Sequence, residues 1–164
     1  MIEIADVAAL GSRLDQEIAV SEWLDVTQER INRFAEATDD RQWIHVDAAR
    51  AADESPFKST IAHGFLTLAL VSALSQRAMR VSGVRMAINY GLNRVRFMAP
   101  VAAGSRIRGR FAPIAVSEEA GSVQITWRVT IEREHVEKPC CVAEWLVRYY
   151  PSASAPSGLR RGKP

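Results

Sequence analysis

The sequence predicts an α+β fold in which a curved antiparallel sheet wraps around one long central helix. The first observation is an apolar segment without a charged side chain, GFLTLALVSALS, at residues 64–75. The second is a series of four strand-like segments in the second half of the chain, joined by short turns. Consecutive strands with short turns form antiparallel meanders, and a helix that is apolar on all sides must be covered by other elements.

Length and composition set the broad class. The chain has 164 residues, of which 48% are hydrophobic and 24% are charged, as is typical of one globular domain. No apolar run reaches the roughly 18 residues of a membrane span, so we expect no membrane insertion. The start, MIEIAD, lacks the basic segment of a signal peptide. We therefore expect a cytoplasmic protein in which Cys140 and Cys141 are reduced.

Composition divides the chain into a domain at residues 1–150 and a tail at residues 151–164. The tail reads PSASAPSGLRRGKP, with basic side chains and no acid. Its residues have little to bury, so we expect it to be disordered. Because the whole chain has a net charge of only +2, the domain lacks the basic excess of a nucleic-acid-binding protein, and we expect no such partner.

Helices and strands follow in order along the first half of the chain. Residues 6–18 are compatible with a short helix that Gly11 weakens, and residues 19–26 are predicted as a strand. Thr27 is a typical helix N-cap. The segment after it, QERINRFAEA, has apolar residues on one side of a helix that ends near Thr38.

A polar loop, a second short helix and the apolar helix come next. The loop reads TDDRQWIHVD at residues 38–47, and Asp47 is the expected N-cap of a helix over residues 48–52. Ser55 and Pro56 stop that helix. The helix at residues 64–75 is apolar all round rather than along one stripe, so we expect it to be buried on most sides.

The four predicted strands complete the fold. They span residues 86–98, 106–116, 123–134 and 141–150. Alternation is clearest in the third strand, VQITWRVTI, which turns Val, Ile and Trp to one face and polar side chains to the other. One buried helix followed by long antiparallel strands describes a single hotdog fold.

Asp40 and His45 are the first candidates for catalysis. A carboxylate beside an imidazole forms a general acid–base pair, because the imidazole titrates near neutral pH and the carboxylate orients it. A helix would turn the two side chains about 140° apart, and an extended chain would separate them by about 17 Å. Only a compact loop brings both to one water. Spacing alone favours an ordinary explanation, a capping Asp and a hydrogen-bonded loop His.

His63 and Gly64 stand at the start of the predicted central helix. Unpaired N–H groups there carry a partial positive charge. Gly64 has no side chain, so a substrate carbonyl can approach its N–H closely. Such an oxyanion-hole donor contributes about 3–4 kcal/mol to a transition state. From these residues alone, a plain helix start with Gly in the entry turn is the favoured explanation.

Two segments together resemble the MaoC-like dehydratase family of hotdog proteins, which includes the (R)-specific enoyl-CoA hydratases. They are FAEATDDRQWIHVD at residues 34–47 and FKSTIAHGFLTLALVS at residues 57–72. The combination D-x4-H-x-D with a downstream I-A-H-G is specific. The segments AINYGLNRVRFMAPV and CVAEWLVRYY also resemble the family, especially its branch related to nodulation protein N. The resemblance covers roughly residues 20–149.

The resemblance implies a catalytic site. Asp40 matches the family's catalytic aspartate, His45 its catalytic histidine, and Gly64 the glycine whose backbone N–H polarises the thioester carbonyl. The split of acid and base roles between Asp40 and His45 is not implied, and the two are best treated as a coupled pair.

Three further residues have supporting roles by the same resemblance. Ser72 matches a serine of the central helix that lies near the catalytic pair in some members, although a Ser can also bond back to its own helix. His63 is expected to orient the loop by hydrogen bonds. Asn93 lies in a strand motif and is expected to face the cleft.

The chain departs from the family pattern before His45. Asp39 stands where Gly is usual, which requires a backbone angle that Asp can still adopt. Gln42 and Trp43 replace the common Asn-Pro, as in the nodulation-protein-N-like branch. Trp43 either narrows the acyl pocket or packs the loop, and we favour packing.

The implied reaction is the reversible hydration of a trans-2-enoyl-CoA to an (R)-3-hydroxyacyl-CoA, without metal or redox cofactor. The partner is an acyl-CoA or an acyl-carrier-protein thioester, whose acyl chain would enter an apolar space beside the central helix. A homodimer is expected, because one hotdog leaves a sheet edge and much of the surface of the central helix uncovered.

Other functions remain open. A hotdog acyl-CoA thioesterase would hydrolyse the same substrates, and a non-catalytic protein would only bind them. A metal site of Asp40, His45, Asp47 and His63 is conceivable by residue type, but we expect none.

Overall fold

The computed structural model describes residues 1–119 and 121–152. Most of the predicted tail, residues 153–164, lies outside these ranges, and its expected disorder stays a prediction. Pro151 is the last residue of the final strand, so regular structure extends one residue past the predicted domain boundary. None of the helices in the described part of the chain has the length and apolar character needed to cross a bilayer.

The predicted antiparallel sheet is confirmed, but its predicted strand order is only partly right. In chain order the strands of the described residues are β1 (Ile2–Ile4), β2 (Ala19–Val20), β3 (Leu24–Val26), β4 (Met79–Val81), β5 (Val84–Phe97), β6 (Ser105–Glu119), β7 (Ser122–Arg133) and β8 (Cys141–Pro151). They pair in the order β2-β6-β7-β8-β5, with β3 also on β6, so the meander holds for β6, β7 and β8, while β5 pairs with β8 and not with β6. Strands β1 and β4 form a separate parallel pair that was not predicted.

The helices lie before and against this sheet. They are α1 (Gln28–Thr38), α2 (Trp43–Val46), α3 (Ala48–Glu54), α4 (Gly64–Ala69) and α5 (Val71–Ala78). Both predicted N-caps are confirmed: Thr27 Oγ1 accepts from Arg30 N at 3.2 Å, and Asp47 Oδ1 accepts from Arg50 N at 2.9 Å. Helix α2 was not predicted and is a single turn inside the polar loop.

The concave face of the sheet carries the core. The alternation predicted for β7 is confirmed, since Ile125, Trp127, Val129 and Ile131 are fully buried. Trp127 Nε1 donates to the hydroxyl of Tyr149 at 3.2 Å, which satisfies a buried indole. Burial raises the pKa of Tyr149 to about 12, so the core phenol stays neutral. Together with the helix it covers, this sheet is a hotdog fold.

The first predicted helix and the first predicted strand are both shorter than expected. Residues 6–18 contain a 3₁₀ helix at Ala8–Arg13, and Asp15 ends this region with a positive φ of 62°. The strand at residues 19–26 is divided into β2 and β3. The division falls at Ser21. Its backbone N–H donates to the Gly109 carbonyl at 2.9 Å, but its hydroxyl, instead of its backbone carbonyl, accepts from Gly109 N at 2.9 Å.

The central helix, which we define as α4, Leu70 and α5, packs one side on the sheet. Leu74 is fully buried and lies against Gly109 of β6, where a Cβ would approach the Leu74 side chain to 3.2 Å. The expectation of burial on most sides is wrong for the single chain. Phe65 is 71% exposed and Ala69 is exposed, because one sheet covers only one side of a helix.

Candidate active site

The end of α1 turns the chain sharply toward the site. Asp39 follows the last turn of α1 with φ 58° and ψ 13°, the left-handed conformation that the sequence requires at this position. Gly is commonest there, and Asp is among the few other residues that adopt it readily. Asp40 comes next, and its side chain remains 53% exposed to solvent.

Helix α2 positions His45. The side chain is buried, and Nδ1 lies 2.7 Å from the backbone carbonyl of Ile61. Because a carbonyl only accepts hydrogen bonds, this contact places the proton of the neutral ring on Nδ1. The opposite nitrogen, Nε2, then carries a free lone pair. His45 is therefore oriented as a proton acceptor.

His63 contacts both candidate residues. Its ring is 2% exposed, stacks on the His45 ring with centroids 3.7 Å apart, and meets the Phe34 ring at 5.0 Å. Nε2 donates to the backbone carbonyl of Asp40 at 2.9 Å. His63 thus holds the backbone at Asp40, which is the hydrogen-bonding role that the sequence analysis expected.

Asp40 and His45 face the same small space. One oxygen or nitrogen atom from each of Asp40, His45 and His63 lies within 4.8 Å of the others. Two hydrogen bonds of about 2.8 Å that meet at one water span about 4.6 Å. A single water can therefore bridge the carboxylate and the imidazole. The single turn of α2, which spacing alone did not reveal, makes this approach possible.

The surroundings of His45 keep its ring neutral. Burial is the largest influence and lowers the pKa of His45 below 6.5, and the nearby His63 lowers it further. The Ile61 carbonyl and Asp40 act in the opposite direction without cancelling the effect of burial. A neutral imidazole with a free Nε2 is the form required of a general base at neutral pH.

Gly64 is the first residue of α4. His63 precedes it in extended backbone geometry and makes no side-chain cap, so side chains leave the first N–H groups of the helix open. The position that a Cβ would occupy lies 2.9–3.1 Å from the Phe97 ring. Only glycine fits against this ring, and a cavity of about 250 Å³ lined by Phe57, Thr67 and Phe97 opens beside it.

Two more cavities lie along the central helix, between it and β5. One of about 210 Å³ is lined by Leu68, Ser72 and Leu92. The next, of about 600 Å³, reaches from Ser72 to Gln76 and Tyr149. These two cavities share Ser72 in their linings, and we call them together the helix groove. The cavity beside Gly64 has no lining residue in common with the helix groove.

Ser72 lines the helix groove. It stands two helical turns beyond Gly64, or about 12 Å along the axis. Its Oγ accepts a hydrogen bond from Asn89 Nδ2 at 3.3 Å instead of bonding to its own helix. Asn89 was missed in the sequence. Its signal was its place on a strand that faces the helix.

Asn93 is exposed on β5 and lines none of these three cavities. The register with β8 shifts between Leu92 and Arg94, so Asn93 sits at an irregularity of the strand. Such a bulge changes which side chains face the helix. Strand alternation in the sequence could not reveal it.

Trp43 packs the loop. The Arg50 guanidinium lies over its ring at 4.4 Å, joining α2 to α3. Packing of the loop is the alternative favoured from the sequence.

Some of the residues that the sequence offered as metal ligands are not available to bind a metal ion. Asp47 does not join the cluster of Asp40, His45 and His63 in the described part of the chain. His63 Nε2, which faces Asp40, is occupied as a donor to a carbonyl and has no free lone pair for a cation. The donor set fits proton transfer better than metal ligation.

Related proteins are similar over most of the chain. Residues 9–134 match the family described as MaoC like domain. The 3-hydroxyacyl-thioester dehydratase Z of Mycobacterium tuberculosis (strain ATCC 25618 / H37Rv) is 51% identical over 144 residues, which cover 87% of this chain and 95% of that protein. Nodulation protein N of Rhizobium leguminosarum bv. viciae is 48% identical over 147 residues, covering 88% and 89%.

Solved structures share the fold. The unliganded R-hydratase PhaJ1 from Pseudomonas aeruginosa superposes with a TM-score of 0.66 at 25% identity, covering 85% of this chain and 84% of that one. The (R)-hydratase from A. caviae gives a TM-score of 0.63 at 22% identity, covering 82% and 96%. At this identity the second likeness is evidence of the fold alone.

Proposed function

The chain belongs to the MaoC-like dehydratase family, and on that premise we propose that it is an (R)-specific enoyl-CoA hydratase. It would add water reversibly to a trans-2-enoyl-CoA and give an (R)-3-hydroxyacyl-CoA. The observation that carries the proposal is the approach of Asp40 and His45 to within 4.8 Å of each other, next to the helix start at Gly64.

The first step is the attack of water on the double bond. Gly64 N–H binds the thioester oxygen and draws electron density from the C2=C3 bond toward the carbonyl. The bridging water donates one hydrogen bond to Asp40 and one to His45. As the water oxygen bonds to C3, one proton passes from water to the Asp40–His45 pair, His45 Nε2 being the free acceptor.

The second step completes the addition. The electron pair of the double bond now resides on the enolate, whose oxygen stays on the Gly64 N–H. The pair returns its proton to C2, so the substrate gains one OH and one H and the site regains its starting protonation. Run backward, the same steps dehydrate the 3-hydroxyacyl thioester.

The helix groove supports a place for the acyl chain. It lies along Leu68 and Ser72 and includes a cavity of about 600 Å³, farther along the central helix than the cavity beside Gly64. The carbonyl end of an acyl group would lie at Gly64, and its tail would follow the groove. The CoA or carrier-protein handle would leave toward solvent past the exposed Asp40.

A homodimer is part of the proposal. Strand β5 is an edge of the sheet and exposes Ile88, Tyr90 and Leu92. On the neighbouring helix, Phe65 is exposed as well. An open strand edge with apolar side chains favours pairing with a second sheet. A second copy of the chain would extend the sheet and cover this face.

The test is hydration of crotonyl-CoA, followed by loss of the conjugated thioester absorbance, with chiral analysis of the product. We expect (R)-3-hydroxybutyryl-CoA from the unmodified protein. Asp40→Asn and His45→Gln should each lower kcat by about 10²- to 10⁴-fold, because each removes a member of the acid–base pair.

Matched controls come from the same chain. Asp53→Asn changes an exposed aspartate of α3, and His135→Gln changes a histidine whose side chain is 90% exposed. Both should retain wild-type kcat. Full activity in Asp40→Asn or in His45→Gln would overturn the assignment. Release of free thiol from the thioester would identify a thioesterase, and binding without turnover would identify a non-catalytic protein.

A further inference from the structure

A polar cluster behind the candidate site connects α1, α2 and the segment before α4. Gln28 lies in the first turn of α1, and its Nε2 donates to the backbone carbonyl of His45 at 2.7 Å and to Asn32 Oδ1 at 2.7 Å. Its Oε1 accepts from the hydroxyl of Thr60. Thr60 is 3% exposed. We call Gln28 and Thr60 the amide clamp.

The orientation of the Gln28 amide follows from its partners. The His45 carbonyl is an acceptor, so the group that meets it must be the NH₂. Turning the amide by 180° would place two acceptor oxygens against each other. The NH₂ uses both hydrogens and the carbonyl is left for Thr60, so three partners fix one rotamer.

His45 is consequently anchored on two sides. Its ring is fixed by Nδ1 to the Ile61 carbonyl, and its backbone is fixed by its own carbonyl to Gln28. Thr60 and Ile61 are adjacent, and Ile61 N also donates to the Ile44 carbonyl at 3.0 Å. The clamp therefore closes a loop of hydrogen bonds that includes the histidine, its turn and the carbonyl that sets its tautomer.

The segment that bears Thr60 is itself rigid. Ala103 N donates to the Thr60 carbonyl at 2.9 Å, and Ala62 N donates to the Val101 carbonyl at 2.7 Å. The clamp thus ties the single turn of α2 to a backbone that is fixed before β6. Helix α2 has only four residues and no side-chain N-cap, so its position depends on such external contacts.

We propose that Gln28 and Thr60 are positioning residues that hold His45 Nε2 in register with Asp40. This inference rests on the proposed function and adds two residues to it, neither of which touches the substrate. A positioning role predicts a loss of turnover without a comparable change in substrate binding, since a displacement of about 1 Å at a catalytic group costs about 10²-fold.

The experiment compares substitutions that differ by one hydrogen bond. Gln28→Met keeps the length of the side chain and removes the amide, and Thr60→Val keeps the shape and removes the hydroxyl. Each should lower kcat for crotonyl-CoA by about 10- to 100-fold with KM within about 3-fold. Thr60→Ser keeps the hydroxyl and should restore most of the activity.

Two controls separate positioning from stability. Gln16→Met makes the same Gln-to-Met change at an exposed position outside the clamp, and Thr126→Val makes the same Thr-to-Val change at a buried position of β7. Both should keep wild-type kcat. Thermal melts of every variant should show that the assayed protein is folded.

A second readout does not need turnover. NMR of the His45 ring should show the Nδ1–H tautomer in the unmodified protein and a mixture of tautomers in Gln28→Met. Wild-type kcat and tautomer in Gln28→Met, or equal losses in Thr60→Ser and Thr60→Val, would overturn the clamp. A protein with no hydratase activity would overturn the proposed function, while the ring spectrum would still decide the clamp.

Discussion

The protonation of one residue, His45, controls the candidate chemistry. Burial lowers the pKa of its imidazole below 6.5, and the fixed Nδ1–H leaves Nε2 free. A base must be neutral to accept a proton, so hydration should be fully active above the pKa of His45 and lost as the pH falls through it. Because the pKa of His45 is lowered, the protein should stay active in mildly acidic solution.

This sign gives a prediction for the pH profile. The acidic limb of kcat/KM for hydration should have its midpoint below 6.5, and an NMR titration of His45 in the free protein should give the same midpoint. Asp40→Asn removes a charge that raises the pKa of His45, so the NMR midpoint should fall further in that variant. A midpoint at or above 6.5 would contradict the buried environment.

The sequence indicated single residues better than it indicated their contacts. The positive φ at Asp39 was predictable, because Asp39 stands at a helix end where the family pattern has Gly and because Asp tolerates this angle. The approach of Asp40 to His45 was not, since it depends on the single turn of α2 and on His63, which is distant in sequence. Gln28 could not be identified from the sequence, because the His45 carbonyl and Thr60 lie on other segments. For Asn89 the sequence offered only its place on a strand that faces the helix.

At the scale of elements, the start of α4 and the end of β5 form one unit. The Phe97 ring fills the space where a side chain at Gly64 would lie. A half-exposed aromatic ring therefore lies directly against the helix start that would bind the thioester oxygen. The absence of a side chain at Gly64 allows α4 and the end of β5 to lie this close together.

Gly64→Ala should disturb this unit. Its methyl group would meet the Phe97 ring at about 3 Å, so the ring or the helix start must move, and we expect kcat/KM to fall by about 10- to 100-fold. Adding Phe97→Leu should recover part of the loss by making room. Gly11→Ala is the matched control, because nothing lies within 4 Å of its new methyl group and Gly11 lines none of the three cavities. Wild-type kcat/KM in Gly64→Ala would contradict this steric coupling.

The long elements were predictable because each carries a strong period. The four long strands and α1 with its Thr27 cap follow from alternation and capping. The short elements depend on tertiary contacts. Strands β2 and β3 are separated by a serine hydroxyl that bonds to Gly109, and the pair β1–β4 joins segments far apart in sequence.

At the scale of the whole molecule, the uncovered face is the most informative feature. The sequence predicted a helix buried on most sides, and the single chain leaves Phe65 and the β5 edge exposed. The predicted burial of the helix and the exposed face of the single chain agree if a second copy of the chain covers this face. The composition of the helix then reflects the assembly rather than the isolated chain.

Ile88→Lys should convert a dimer into a monomer. Lysine on an edge strand opposes pairing with another edge, and Ile88 is exposed in the middle of β5. Light scattering after size exclusion would give the mass. Val20→Lys is the control, because Val20 is exposed on β2 at the opposite edge of the sheet and should leave the dimer intact. A monomeric unmodified protein would contradict the proposed assembly.

A double-mutant cycle decides whether Asp40 and His45 act as one unit on a single water. The measurement is kcat for crotonyl-CoA hydration in Asp40→Asn, His45→Gln and the double variant. Residues that act together are strongly non-additive, so the double variant should be no slower than the slower single variant, within about 3-fold. Losses that multiply in the double variant would show that the two side chains act independently and would contradict their joint action.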